Sequence, residues 1–545
     1  MPAGFDVDDF TISVLQKSVT LNCDCFLTDP YYDFRYDREV AMMKSMNAVL
    51  ALVAISMAST GAFAAEFLVK YKNAAGLGSI METARVRMNT MQVLDRHAPG
   101  QFVKVKVAKS AEARTLAELS ANPNIEWVTP NFKLEAYRTP VSATALRTQW
   151  AMGKVQAEKA WQRAGNKGKR DVIVAIIDTG VDYRHPALAP NMIAGYDFAG
   201  NDADPMDETS SSNPGHGTHC TGAVGATGLV DGGTVGMGPG LSLMPIRFLD
   251  KNGSGDLNNG IKAIDFAIQK GVHVISASWG ASVPRAQAAA LIEAVQRADA
   301  AGLIFVAAAA NDGANNDSKD VFPANANTEN MIAVAASGES DAKPQWSNYG
   351  KAMVHLASPG ENIMSTLPNN AYGNLSGTSM ATPLVAGLVG FLKSQDPNLT
   401  GKQIRALLQT TGAKVSIETA CNCRVDAFNA VDHLLSKKPW VVPAAASLEI
   451  NGTVNVSMVN GIGPFQYASS NASVLSVDTQ GVAKGLAQGT ATIMVTDANG
   501  AKVSSLDYNV GQVASGPAPG DCPIGDVSLC EAACGIMPDL PFCQK

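Results

Sequence analysis

Three short glycine-bordered islands carry an aspartate, a histidine and a serine in that chain order. They are I-I-D-T-G-V-D over residues 176–182, G-H-G-T-H-C over 215–220 and G-T-S-M-A-T-P over 377–383. A serine hydroxyl is a poor nucleophile at neutral pH. Attack on an acyl carbon needs a neutral imidazole to take its proton and a carboxylate to hold that imidazole in one tautomer. Asp178, His216 and Ser379 supply one of each, so the chemistry they point to is acyl transfer through a covalent serine intermediate. Ser379 precedes a nearly all-apolar stretch, residues 381–392, which reads as a buried helix with the serine near its N-terminus. Free backbone N–H groups there favour negative charge. A developing oxyanion would take the Ser379 N–H and a side-chain amide as donors. Asn311, after a run of alanines and before Asp312-Gly313, is the amide expected.

The elements that must hold these residues are visible as apolar runs at 172–177, 272–278, 303–309 and 331–336. Continuous β-branched runs without alternation mark strands covered on both faces, as in a parallel sheet with helices on each side. Segments 260–270 and 286–301 supply crossover helices. In such a sheet the site lies at the carboxyl ends of the strands, where Asp178 and Asn311 fall. Upstream, two strands at 67–72 and 102–107 alternate apolar residues with Lys, which predicts a sheet with one wet face. Helices are expected over 81–91 and 111–119, and the block closes on I-E-W-V-T-P-N at 125–131, giving a small α+β unit. After Pro439 the composition turns to Ser, Val, Thr, Gly and Asn, and residues 473–497 read as short strands broken by turns, an all-β sandwich. A G-P-A-P-G linker at 516–520 leads into a Cys-rich end.

The 545 residues, 46% hydrophobic and 17% charged, can bury a large core and exceed one ordinary domain. A net charge of −7 provides no basic footprint for nucleic acid or anionic membrane, so the expected partners are polypeptides. From Met43 a lone Lys, a dozen or so apolar residues and Ala62-Phe63-Ala64 read as a secretory signal peptide, too short to span a membrane. Residues 1–42 have no export character, so translation is expected to begin at Met42 or Met43. The location expected is secreted, periplasmic or cell-surface. Without residues 1–42 the cysteines are Cys220 and six late ones, Cys421, Cys423, Cys522, Cys530, Cys534 and Cys543. In an exported chain the six read as disulfides stapling a small tail, with open connectivity.

With the three islands in this order and Asn311 between His and Ser, residues of about 141–438 resemble the subtilisin-like serine proteases, with features of the proteinase K and thermitase branches. The resemblance implies a subtilisin-like parallel sheet, Asp178 as orienting carboxylate, His216 as general base then acid, Ser379 as nucleophile and Asn311 as oxyanion donor. Residues 65–140 resemble the inhibitory propeptide of that family, whose last segment enters the cleft. Residues 444–511 resemble a bacterial Ig-like domain, and 512–545 form the Cys-rich tail. The family's substrate channel maps onto Ser276, Ser278, Trp279 and Gly280, whose backbone would pair with an extended peptide. Ala308, Ala309 and Ala310 form the facing wall, with Val321 at the pocket floor. Where the family pattern has Gly before the oxyanion Asn, this chain has Ala310, which predicts preference for small or medium apolar side chains before the scissile bond. The expected function is a secreted endopeptidase made as a proenzyme and self-cleaved between about Glu135 and Ala143. The alternatives are a narrow-specificity processing protease and a non-enzymatic surface adhesin on a protease scaffold. No cofactor is expected for the chemistry, and the protein is expected to be a monomer that recognises its own propeptide.

His219, one turn beyond His216, reads as structural, as do His185, His273 and His355, and Cys220 reads as a buried thiol under the active His. The family's strongest calcium site is expected to be altered, because His185-Pro186 is followed by Ala187. The loop at 196–208 gathers Asp197, Asp202, Asp204, Asp207 and Glu208. Asp197, Asp202 and Asp204 are the expected ligands of a structural Ca²⁺, since oxygen ligands at alternate positions suit that ion.

Overall fold

The computed structural model describes residues 63–137, 149–230 and 233–511. The expected start, nearly all of the leader, the 138–143 part of the expected cleavage region and the Cys-rich tail lie outside the described residues.

The N-terminal block is a four-stranded antiparallel sheet in the order β2-β3-β1-β4. Its strands are β1 (Phe63–Tyr71), β2 (Met91–His97), β3 (Phe102–Ala108) and β4 (Ile125–Pro130). Helices α1 (Ala74–Val86) and α2 (Glu112–Ala121) belong to the same block. β1 begins inside the expected leader, because its pairing with β3 runs back to Phe63 opposite Ala108. α1 lies earlier than the spacing predicts. Asn73 caps it by accepting from the Gly76 N–H at 3.0 Å, and Gly76 is needed because a Cβ there would stand 2.4 Å from the Asn124 carbonyl oxygen. The glycines masked the helix start, and β2, with its exposed polar positions, gave no strand signal.

The expected wet face of this sheet is instead covered. Phe67 and Val69 face the block's own core, while Leu68 and Phe102 join the core of the following domain. The lysines on that second face meet acids across the seam. Lys70 Nζ is 2.7 Å from Glu293, which also accepts from Trp127 Nε1 at 2.7 Å, and Lys104 Nζ is 3.0 Å from Asp256. Asp95 pairs with Lys262, and His97 meets Asp265, whose carboxylate Arg297 grips at 2.9 and 2.8 Å.

The central domain is built on a nine-stranded sheet. Its core strands are β6 (Ile173–Asp178), β8 (Ser242–Arg247), β10 (Val274–Ala277), β12 (Ile304–Ala308), β13 (Met331–Ser337) and β14 (Leu356–Pro359). They run parallel in the order β14-β13-β12-β10-β6-β8. β7 (Tyr196–Asp197) extends one edge, and β17 (Ala413–Lys414) and β18 (Cys423–Arg424) the other; only the β17/β18 pairing is antiparallel. Two short strands off this sheet, β9 (Ser254–Asp256) and β11 (Trp279–Gly280), and the hairpin β15 (Ile363–Leu367)/β16 (Ala371–Leu375) stand near the strand ends.

Both faces are buried, as continuous apolar strands require. On β6, Val174 and Ile176 pack against a core that includes α3 (Trp150–Lys154), α4 (Ala157–Ala164), α8 (Thr378–Gln395), α9 (Gly401–Thr411) and α10 (Ala427–Leu435). Ala175 and Ile177 face the other side, with α6 (Leu257–Gln269) and α7 (Ala289–Ala300). α5 (His216–Gly225) is entirely buried and packs against α8. After β6 the chain fills strands on one side of it, then continues from β10 on the other. A crevice therefore opens at the carboxyl ends of β6 and β10.

Cys421 and Cys423 are bonded to each other between β17 and β18, so two of the six late cysteines belong to this domain and not to a tail. Cys220 is buried and free. Beyond Lys438, short strands between Trp440 and Val510 surround a separate core of Leu475, Ile493, Val495, Tyr508 and neighbours. Trp440 is fully buried in the central domain's core, and its indole N–H donates to Gln403 O at 3.2 Å.

Candidate active site

Asp178 is the last residue of β6, and its Oδ1 accepts from the Thr179 N–H at 2.7 Å. His216 is the first residue of α5, after Gly215 at φ +107°, where a Cβ would also collide with Pro368 at 2.1 Å. Asn213 Oδ1 accepts from the His216 N–H at 2.8 Å, satisfying one open helix donor. The two elements bring His216 Nδ1 to 2.7 Å from Asp178 Oδ1, both side chains essentially inaccessible. Burial opposes a charged imidazole, but the adjacent Asp178 carboxylate outweighs it and holds the His216 pKa well above the usual histidine value. His216 Nε2 is buried with no hydrogen-bond partner among the described residues.

Ser379 is the second residue of α8. Its Oγ lies 2.9 Å from Ser278 O and also in contact with the Tyr137 carbonyl oxygen. Asn311 Oδ1 accepts from the Thr378 N–H and hydroxyl, each at 2.9 Å, which fixes the amide; its Nδ2 is buried without a partner among the described residues. The unpartnered Nδ2 is a donor held ready beside the serine.

The residue that the sequence did not single out is Tyr137. It directly follows β5 (Lys133–Ala136), which runs antiparallel between β9 and β11: Leu134 faces Gly255, Glu135 faces Ser254, and Ala136 faces Trp279. The Tyr137 N–H donates to Ser278 O at 3.1 Å. Its phenol oxygen is buried against Gly280, where a Cβ would stand 2.4 Å away, without a partner among the described residues. Burial, reinforced by Asp312, pushes the phenol pKa up. A bulky aromatic side chain thus lies against Gly280, where the absent Cβ makes the room.

Of the expected channel residues, Ser278, Trp279 and Gly280 border this strand through their backbones, and the Trp279 indole is turned inward to Ile177 O at 2.7 Å. Ser276 is buried within β10, and its hydroxyl has no partner among the described residues. Ala310 and Val321 belong to the core that Tyr137 packs on. Ala309 instead packs with Ala335, Val354 and Ala357, so it offers only backbone. Ala308 is fully buried.

His219 carries the structural role expected of it. Its Nε2 donates to Ile363 O and Gly373 O at 2.9 and 3.1 Å, tying α5 to the β15/β16 hairpin. Burial and the neighbouring His216 lower its pKa to about 3. The Cys220 sulfur sits 3.3 Å from Ser379 O, and burial pushes its pKa up.

Asp197 and Asp202 are bridged through their backbones, but the three expected calcium ligands do not form a three-ligand cluster among the described residues. Asp197 Oδ2 is met by Arg247 Nη1 at 3.1 Å, Asp204 accepts from the Tyr183 hydroxyl, and Asp202 accepts from the Asp204 N–H. Arg247, which also holds Glu208 at 2.9 Å, brings positive charge to this loop's carboxylates. The remaining acid of the loop, Asp207, is buried, with its carboxylate on Thr179 and Thr218.

Residues 169–434 match the subtilase family, Peptidase_S8. Thermitase of Thermoactinomyces vulgaris is 38% identical over 287 residues, covering 52% of this chain and 96% of thermitase. The thermophilic serine proteinase of Bacillus sp. (strain AK1) is 37% identical over 317 residues, 58% of this chain and 75% of the relative. The major intracellular serine protease of Bacillus subtilis (strain 168) is 38% identical over 245 residues, 44% of this chain and 74% of the relative. The parallel sheet with its crevice and the Asp–His pair beside a helix-borne serine define a serine hydrolase. The chain belongs to the subtilase family, and it is a serine endopeptidase.

Proposed function

We propose that the protein is an exported endopeptidase made as a proenzyme, in which residues 65–137 are the inhibitory propeptide and the Tyr137–Arg138 bond is the one it cuts in itself. The observation that carries this reading is the Tyr137 carbonyl in contact with Ser379 Oγ, on a strand paired on both sides in the crevice. Added-strand pairing is how an extended substrate is held. In the proposed reaction neutral His216 takes the Ser379 hydroxyl proton as Oγ attacks the Tyr137 carbonyl carbon. Asp178, bonded to Nδ1, stabilises the imidazolium. The negative oxygen is held by Asn311 Nδ2 and the Ser379 N–H. His216 then protonates the leaving Arg138 nitrogen, and water releases the Tyr137 carboxylate by the same route in reverse.

The residue before the scissile bond is proposed to be aromatic by preference, on the strength of the Tyr137 ring against Gly280. The strands over 440–510 are proposed to be a bacterial Ig-like module. A panel of peptides differing only at that residue tests the reading, with casein as a general substrate. Tyr and Phe are expected to be cleaved faster than Ala and Lys, and Ser379→Ala to lose turnover by about 10⁴-fold or more. Equal casein hydrolysis by wild type and Ser379→Ala would sink the assignment.

A further inference from the structure

Asp207 belongs to a strap, residues 205–207, that crosses the turn after Asp178. The Val181 N–H donates to Pro205 O at 2.9 Å. Gly180, at φ +107°, lies so close under the strap that a Cβ would stand 2.7 Å from Met206 O and 2.9 Å from Asp207 N. The Asp207 side chain, 5% exposed, points from the strap into the protein. Its Oδ1 accepts from the Thr179 hydroxyl at 2.9 Å. Its Oδ2 accepts from the Thr218 N–H at 2.9 Å and the Thr218 hydroxyl at 2.7 Å.

Each threonine passes the constraint on. Because Thr179 Oγ donates to Asp207, it is free to accept from the Gly217 N–H, at 2.9 Å. Because Thr218 Oγ donates to Asp207, it accepts from the Asp182 N–H, also at 2.9 Å. Two relays of fixed polarity therefore converge on one carboxylate, one from each side of the Asp178–His216 pair. Thr179 follows Asp178 directly and Thr218 is on the first turn of α5, two residues after His216.

Stability alone disfavours a carboxylate here. Among the described residues Asp207 forms no ion pair, whereas the adjacent Glu208 is paired with Arg247. Burial, reinforced by the Asp178 charge, pushes the Asp207 pKa up to about 6 against the pull of the threonine bonds. What an ionised carboxylate supplies, and no neutral side chain of its size does, is an acceptor on both oxygens with no hydrogen to misdirect.

We infer that Asp207 is a positioning residue of the reaction, holding the turn after Asp178 in register with the first turn of the His216 helix. The inference rests on the proposed roles of Asp178, His216 and Ser379.

The test is steady-state hydrolysis of a peptide with Tyr before the scissile bond, by matured enzyme whose active sites are counted with a fluorophosphonate. Asp207→Asn preserves volume but places an NH₂ where an acceptor is needed. Its kcat is expected to fall by about 10- to 100-fold, with KM held within about twofold, since β9 and β11 are untouched. The titratable group that acts on Asp207 is Asp178 on β6, and Asp182 on the turn is tied to it through Thr218. Removing a negative charge from this set disfavours the imidazolium, so the acid limb of kcat/KM moves to lower pH. Thr179→Val breaks one relay and keeps the charge. It is expected to lower kcat without moving the acid limb, and it carries the test if Asp207→Asn does not mature. Wild-type kcat in either variant, or a rise in KM that accounts for the loss, would overturn the positioning role. An inactive Ser379→Ala beside a fully active Asp207→Asn would overturn this inference alone; an active Ser379→Ala would overturn the reading beneath it.

Discussion

His216 must be neutral to take the Ser379 proton, and Asp178 works against that by favouring the imidazolium. With the His216 pKa raised well above its ordinary value, the proton acceptor exists only at pH above the raised pKa. Activity should therefore rise with pH through a limb lying above about 6.5, the ordinary histidine value, and a pH–rate profile of kcat/KM checks this; a limb below that value would contradict it. Replacing Asn311 by Ala removes the side-chain donor whose Nδ2 has no other partner, and kcat should fall by about 10²- to 10³-fold with KM little changed. At Ala310 the backbone adopts φ +87°, which an L-residue holds only under strain. Ala310→Gly should stabilise by about 0.5 kcal/mol, the strain relieved exceeding the entropy a glycine loses; denaturant unfolding of the Ser379→Ala background measures it without self-digestion. The sequence made Asp178, His216, Ser379 and Asn311 legible because each lies in a short run where glycines and small residues admit few readings. Tyr137 and Asp207 were not legible. Tyr137 acquires its place only when β5 docks between strands far along the chain, and Asp207 stands among four other acids with nothing in its spacing to mark it as the one turned inward.

At the scale of elements, the α6–α7 face is where the N-terminal block is held, and β5 continues from that seam into the crevice. The seam mixes apolar contact with half-buried ion pairs, and Glu293 serves two of its donors, Lys70 and Trp127, each at 2.7 Å. Leaving the Trp127 indole without an acceptor and Lys70 with only Glu126, at 3.4 Å, should weaken inhibition by the separated block roughly tenfold or more in Glu293→Ala. Inhibition of wild type should weaken as salt is raised, because the exposed edges of such pairs are screened. Inhibition constants measured from low to high salt test both, and a salt-independent constant would show that the apolar contacts alone hold the block. The helices over α6 and α7 and the buried strands were predictable from apolar periodicity. The alternation of β1 and β3 was read as one wet face because a sequence cannot say whether water or another domain's acids will meet the lysines.

At the scale of the whole molecule, the β-rich end is not a freely tethered appendage. Trp440 and Val442 are buried in the central domain's core, and the Tyr508 hydroxyl donates to Pro443 O at 2.7 Å. Trp440→Ala removes a fully buried indole and should destabilise the central domain by about 3–5 kcal/mol, seen as faster thermal inactivation of the peptidase activity itself. The composition change after Pro439 marked the boundary but not the anchor, since one tryptophan in a linker has no period to betray its burial. In the proposed maturation, the serine placed at the Tyr137 carbonyl is the one that cuts there. N-terminal sequencing and intact mass of the purified protein, wild type beside Ser379→Ala, test it most directly. The expected result is a wild-type chain beginning at Arg138 and a Ser379→Ala chain still joined through Tyr137–Arg138. A Ser379→Ala chain that also begins at Arg138, or a wild type that retains the bond while digesting casein, would contradict it.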